Sequence, residues 1–258
     1  MAKYKLHEFI RKNVELAVND FGMIQSGDRI LVGISGGGDS FTLLKVLSGR
    51  KIFLPQDFTV VPVHIDLGFY GGDTAHLDRM KAYFEEQHFE YYIDRTEIGL
   101  YAHSEKNKKN PCFLCSRFRR KRMIELADEL KCQKIALGHH KDDVIETLLI
   151  NIMFGREIGT MMPNQELFKG KYHIIRPLVY IWEKKIKEYV AQNNFPIFVN
   201  KCPTEKTSRR VVIKNMLRDM EKQHRGLKEN IFKSLRHVKT DYLWGSHSAN
   251  KPEGEDDQ

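Results

Sequence analysis

The hydrophobic positions of this chain change their spacing repeatedly, and each change marks an element. Leu6, Phe9, Ile10, Val14 and Ala17 recur at helical spacing, which predicts an amphipathic helix over residues 5–20. Gly27-Asp28 turns the chain into a short β-type run over 30–34. Phe41, Leu43, Leu44 and Leu47 open a helical pattern immediately after the Ser-Gly-Gly-Gly-Asp-Ser stretch 35–40. A second β run covers 58–65 and ends at Asp66, a helix covers 73–87, and further strands are predicted over 89–93 and 134–138. Between these last two lie a Lys- and Asn-rich loop (104–110), Pro111-Cys112, and a helix over 116–130. The next helix, 142–154, carries Ile145, Leu148, Leu149 and Ile152 on one stripe. Residues 155–177 read as a glycine-interrupted crossover ending at Arg176-Pro177, followed by helices over 182–193, 204–224 and 227–238.

Strands that alternate with helices predict an α/β fold, a parallel sheet with helices on both faces, plus an α-helical C-terminal part. The expected organisation is an N-terminal helix (1–25), an α/β domain (26–200), a helical part (201–245) and a polar, aperiodic tail (246–258) expected to be disordered. No internal repeat is visible. In such sheets ligands gather at the carboxyl ends of strands, where Ser35, Asp66 and His139 all fall.

Composition narrows the setting. The 258 residues suffice for one substantial core. With four cysteines, no signal peptide and no long apolar span, a soluble protein of a reducing cytoplasm is expected, with no membrane association. The formal charge of +8, from 42 basic and 34 acidic residues, favours a polyanionic partner, although many basic proteins bind none.

The stretch 35–40 is the first chemical signal. Glycines at 36, 37 and 38 let the backbone approach an anion, and a helix start supplies unpaired N–H groups and the positive end of a dipole. Ser35 and Ser40 add hydroxyl donors, and Asp39 suits a divalent cation or a helix cap. No Gly-Lys-Ser/Thr follows, so this is not a Walker loop, and it is not Gly-x-Gly-x-x-Gly. A plain βα turn with capping serines is the alternative. The stretch resembles the PP-loop of enzymes that split ATP into AMP and pyrophosphate.

The cysteines are the second signal. Cys112 and Cys115 form a Cys-x-x-Cys at a helix start, Cys202 stands alone before a later helix, and Cys132 opens an apolar strand as a core residue. The context is wrong for a thioredoxin-type pair, and a fourth ligand for structural zinc is missing. Three thiolates suit an iron–sulfur cluster with one open iron; zinc, a disulfide and plain thiols remain alternatives.

Taken in order, Ser35-Gly36-Gly37-x-Asp39-Ser40, Pro111-Cys-x-x-Cys115-Ser116-Arg117-x-Arg119-Arg120, Gly138-His139-His140-Lys141-Asp142-Asp143-x-x-Glu146-Thr147-Leu148, Arg176-Pro177-Leu178, and Cys202 with Ile213-Lys214-x-Met216-Leu217-Arg218-Asp219 resemble the TtcA family of tRNA 2-thiocytidine synthetases. The likeness runs from the N-terminal helix to about residue 240. It implies an adenine nucleotide α-hydrolase-like fold, a [4Fe–4S] cluster on Cys112, Cys115 and Cys202, and thiolation of cytidine 32 in the tRNA anticodon loop. It further implies ATP held by Ser35, Gly36, Gly37, Gly38, Asp39, Ser40, Ile65, Gly138 and His139, Mg²⁺ on Asp39, and a cysteine desulfurase as sulfur donor. Two positions depart from the family pattern: Gly38 replaces the usual Lys, and Val199 replaces a cysteine upstream of Cys202.

The catalytic candidates are Asp39, Asp66, Arg119 and Asp142. Asp66 ends a strand at the ligand edge, and Asp142 is a candidate for positioning base or cation, with dipole-complementing carboxylates as the alternative. Arg119 shares a helix face with Met123, Ala127 and Leu130, so it is expected to point inward toward an anion. His139 and His140 read as nucleotide or structural contacts rather than zinc ligands. Arg117, Arg120, Lys121, Arg122, Lys106, Lys108 and Lys109 form a basic neighbourhood suited to RNA, or a solvated face, which Arg209 and Arg210 extend. Phe113 and Phe118 are read as packing residues. Two rival functions fit the same residues: an adenylating or sulfur-transfer enzyme acting on another tRNA base or a small molecule, and an RNA-binding paralogue with impaired catalysis. The N-terminal helix packs either on its own sheet or on a second subunit, which leaves a homodimer open.

Overall fold

The structure, a computed structural model, describes residues 2–49, 57–107, 110–198, 201–204 and 208–244. Lys108, Lys109, Val199, the start of the helix expected from 204 and the polar tail lie outside the described residues. The chain forms two compact units, one up to Asn215 and one from Met216.

The elements run α1 (Ala2–Asp20), β1 (Arg29–Ile34), α2 (Gly38–Leu47), β2 (Thr59–Asp66), α3 (Ala75–Glu86), β3 (Tyr92–Arg95), α4 (Ile98–Ala102), α5 (Pro111–Glu129), β4 (Lys134–Leu137), α6 (Lys141–Ile150), β5 (Asn164–Leu167), β6 (Tyr172–Ile175), α7 (Glu183–Val190), α8 (Arg209–Gln223) and α9 (Leu227–Ser234). The six strands lie in the order β3-β2-β1-β4-β6-β5. All pairs are parallel except β5 with β6, so the expected parallel α/β sheet is present with one antiparallel edge strand.

Burial explains why both faces are covered. Leu31, Val61, Val63, Ile65, Ile135 and Ile174 pack with Leu126 and Ala127 of α5 in one core cluster. By the two-residue alternation of a strand, Ile30, Val32 and Ile34 of β1 are buried on the opposite face, where α2 packs on the strand and α7 and α1 pack on α2. Ile10, Val14 and Ala17 of α1 are fully buried, and His7 Nδ1 lies 2.9 Å from the Tyr189 hydroxyl of α7. The N-terminal helix thus finds its partner in its own chain.

Three local expectations shift. The crossover 155–177 contains the β5–β6 hairpin, because Asn164–Leu167 is polar and pairs only as an edge strand. Helix α5 starts at Pro111, whose fixed φ suits the first helical position, so Cys112 and Cys115 sit inside the helix. Helix α6 ends at Ile150 and passes into a π turn, Asn151–Gly155, closed by Arg156 in the left-handed region.

The turn after β1 depends on Gly36, which has φ +89° and whose added β-carbon would stand 2.2 Å from the Phe198 ring. Gly36→Ala is therefore expected to cost about 1–3 kcal/mol, read as a lower urea midpoint.

Candidate functional site

Strand β1 has β2 on one side and β4 on the other, so the connections leaving its end diverge and open a crevice at the carboxyl edge. The stretch 35–40 fills this point. Ser40 Oγ donates to Gly37 O at 2.8 Å and accepts from Ser35 N at 3.2 Å, while Ser35 Oγ accepts from Gly37 N at 3.3 Å. Gly37, at the N-cap of α2, gives no side-chain cap, so the first N–H groups of that helix are available to an anion. Gly38 lies against α7: a β-carbon there would stand 2.6 Å from Val190 Cγ2. The absence of lysine at 38 is thus matched by a helix packed too closely to admit a side chain.

A cavity of about 720 Å³ opens from this loop, within the size range of small-molecule sites. Its lining brings together Ser35, Asp39, Ser40, Ile65, Asp66, Arg119, Gly138 and His139, from residues far apart in sequence. Gly36, Gly37 and Gly38 shape the loop without lining the cavity. Asp142 is not among the lining residues: its carboxylate accepts from Glu183 N at 2.8 Å and so caps α7. Its neighbour Asp143 lines the cavity instead, forms a capping box with His140, and pairs with Arg210 at 2.6 Å. Asp66 holds the following turn through Gly68 N at 3.0 Å.

The cavity is divided electrostatically. On one side burial pushes the Asp39 carboxyl up, with Asp143 and Glu183 adding to the effect and His140 opposing it. Such a carboxyl gains from a cation, which is how a Mg²⁺ on Asp39 would fit. Burial also pushes Glu146 up to about 7, with Arg210 opposing. On the other side burial holds His139 neutral, pushed down to about 3, with Asp143 opposing and Arg176, Arg210 and Arg119 reinforcing the shift. Arg119 does not point into the core as expected; it is exposed and lines the cavity, because the helix face it shares with Met123 borders open space there.

The cysteines converge on one hydroxyl. Thr204 Oγ1 lies 3.2 Å from Cys112 Sγ and 3.4 Å from Cys202 Sγ, and His103 Nε2 lies 3.2 Å from the same hydroxyl and 3.8 Å from Cys202 Sγ. Burial pushes the Cys115 thiol up; Arg119 opposes this, while Cys202 and Cys112 reinforce it. Deprotonated together, the three sulfurs would repel one another and call for positive charge among them, which is what iron supplies in a cluster. Among the described residues no three His, Cys, Asp or Glu side chains are grouped to hold a single ion. All four cysteines are free thiols, and Cys132 is buried in the core. The three cysteines are not among the lining residues, whereas Ser116 and Arg119 of the same helix are, and the Arg119 charge acts on the Cys115 thiol.

The basic helix is only partly available. Arg122 is bound by Asp94 at 2.7 Å and Glu129 at 2.9 Å, Lys121 lies 3.7 Å from Glu125, and Arg209 sits over the Phe154 ring at 5.0 Å. Arg117, Arg119 and Arg120 are exposed. Phe118 packs edge-on against Tyr101, whereas Phe113 is 66% exposed and does not pack. Sequence reasoning left His103 and Thr204 without a site role, gave Arg210 only a place in the basic patch, and gave Arg176 no task beyond the Arg176-Pro177-Leu178 motif.

The raised Glu146 pKa has a stability consequence. The native protein holds this proton up to about pH 7, whereas the unfolded chain loses it near pH 4.3. Its contribution is fully present below the unfolded value and is lost as pH rises through about 7. Glu146→Gln is expected to flatten the fall in unfolding free energy between pH 5 and 8, by about 3 kcal/mol at most, measured by urea denaturation at each pH.

Residues 4–221 match the family described as the PP-loop domain. The chain is 38% identical over 241 residues to a tRNA-cytidine(32) 2-sulfurtransferase of Yersinia enterocolitica, and 37% identical to one of Yersinia pseudotuberculosis. Each alignment covers 93% of this chain and 76% of the relative. Among solved structures, the U34-tRNA thiolase NcsA of Methanococcus maripaludis with its [4Fe-4S] cluster superposes with a TM-score of 0.70 at 23% identity, covering 91% of this chain and 81% of that one. With the family match over residues 4–221 and relatives 37–38% identical over 93% of its length, the chain belongs to the PP-loop family and, within it, to the tRNA-cytidine(32) 2-sulfurtransferases.

Proposed function

We propose that this protein is an ATP-dependent tRNA sulfurtransferase that replaces the C2 oxygen of cytidine 32 in the anticodon loop with sulfur. The observation that carries this reading is a cavity lined by the PP-loop residues Ser35, Asp39 and Ser40 together with Arg119, one turn along α5 from Cys115, whose charge acts on that thiol. Activation and sulfur delivery thereby share one space.

The base oxygen is a poor leaving group until it carries an adenylyl group. The open N-terminus of α2 and the hydroxyls of Ser35 and Ser40 hold the phosphates, and Asp39 with Mg²⁺ offsets their charge. Asp66, at the end of β2, faces the same space from the neighbouring strand. Bound on Cys112, Cys115 and Cys202, a [4Fe–4S] cluster supplies an iron open to the incoming sulfur. Exposed Arg117 of α5 meets the RNA backbone, with Arg119 and Arg120 at the cavity. Among the described residues no helix is long and apolar enough to cross a membrane. The reading places the protein in the cytoplasm, with a cysteine desulfurase supplying the sulfur.

Cys112→Ala, Cys115→Ala and Cys202→Ala are each expected to lose 2-thiocytidine formation while keeping the wild-type circular dichroism. Iron and acid-labile sulfide, measured on protein purified without oxygen, should fall with activity. Thiolation retained in any one variant overturns the three-ligand assignment. Nucleoside analysis of tRNA from a deletion strain identifies the base: loss of a thiolated nucleoside other than 2-thiocytidine moves the reading to another tRNA substrate.

A further inference from the structure

Among the described residues Arg176 is a buried cation that pairs with no carboxylate. It is 3% exposed, yet it lines the cavity from the end of β6. Its guanidinium donates to the Met162 carbonyl, to Gln165 Oε1 at 3.5 Å and, through Nε, to His139 Nδ1 at 3.3 Å. All three acceptors are neutral. A guanidinium carries five N–H groups, so these bonds leave donors unused. Burial lowers its pKa to about 10 and Arg120 adds to this, while no carboxylate opposes the shift. A buried charge left in this state is costly unless something of opposite sign visits it. Arg210, at the same cavity but half-exposed, has Asp143 as its acid.

His139 completes the picture. A neutral imidazole that accepts at Nδ1 must carry its proton on Nε2, so it offers a donor and no acceptor on that side. Arg176 and His139 thus form a surface of donors only, which favours a negatively charged oxygen and disfavours a carbonyl-seeking or cationic group.

We propose that Arg176 and the Nε2–H of His139 form a second anion subsite, separate from the PP-loop, that receives the phosphate of the adenylyl group. This rests on the function proposed above. In the activation step a lone pair of the base oxygen bonds to the α-phosphorus of ATP as the bond to the bridging oxygen breaks, and pyrophosphate leaves with that electron pair. The phosphodiester left behind carries one negative charge and is no longer held by the β and γ phosphates on the loop. His139 follows Gly138, whose backbone abuts Asp39 and Ser40, so the subsite adjoins the loop that held ATP. A phosphate within the RNA chain does not reach a group 3% exposed, whereas exposed Arg119 and Arg120 suit that role.

The test measures binding of AMP, adenosine and inorganic phosphate to the wild-type chain and to Arg176→Met and Arg176→Lys, by calorimetry and thermal melting. In Arg176→Met, AMP affinity should fall at least tenfold, adenosine affinity should be unchanged, and the ligand-free melting temperature should be equal or higher, since an uncompensated charge has been removed. Arg176→Lys should retain part of the AMP affinity. AMP bound equally well by Arg176→Met, or a lower melting temperature with AMP binding intact, overturns the proposal and makes Arg176 a clamp on the Met162 segment. If the wild-type chain binds no nucleotide, the proposed function fails. Stabilisation by inorganic phosphate that Arg176→Met loses then still supports the subsite, and its absence from the wild type overturns it.

Discussion

The backbone of Gly138 lies against that of Asp39 and Ser40 so closely that a β-carbon at 138 would stand 3.0 Å from Asp39 C and Ser40 N. This contact joins the turn after β4 to the first turn of α2 at the place where the sheet order diverges around β1. The site is built outward from it. His139 is delivered to the cavity by the residue in contact, Arg176 is held against His139, and Asp143 enters through the helix that His140 caps. A larger residue at 138 would separate two strand ends whose spacing sets the distance between the nucleotide loop and its neighbours.

Around that junction the charges are sorted by side. Asp39 and Asp143 line the cavity near the loop, with Arg210 paired to Asp143, and Arg119, Arg120 and Arg176 line it as well, Arg120 adding to the shift of Arg176. Burial amplifies both halves, since each group is driven toward its neutral form until a partner arrives. ATP with its metal suits the first half, and a phosphate left on the substrate suits the second. Such a cavity is stabilised by what it binds, in keeping with functional sites that hold charge the fold alone would not place there.

The cysteine centre follows a different rule. Cys112 and Cys115 ride on the first turns of α5, Cys202 comes from the segment before α8, and Thr204 with His103 knits them into one neighbourhood. Thiols alone gain little from such proximity. Three thiolates repel, so the arrangement acquires its value when positive charge is placed among them. Arg119, which lines the cavity and whose charge acts on the Cys115 thiol, relates it to the cavity.

Much of this was legible in the chain itself. The period of apolar residues determined the alternating strands and helices, the glycine loop marked its own phosphate chemistry, and three cysteines with a PP-loop and a Gly-His-His-Lys-Asp-Asp motif pointed to the family, because each of these is local and carries its physics in adjacent residues. The β5–β6 hairpin was hidden, since an edge strand needs no apolar alternation and its pairing lies across the chain. Where Asp142 and Asp143 point was hidden for a related reason: both are helix-start acids by sequence, and only the approach of Glu183 N to Asp142 and of Arg210 to Asp143 distinguishes them in the fold. The same holds for Arg176, read as part of a motif without a task. Whether a charge is compensated depends on the neighbours that folding brings within a few ångströms, and those neighbours are far away in sequence.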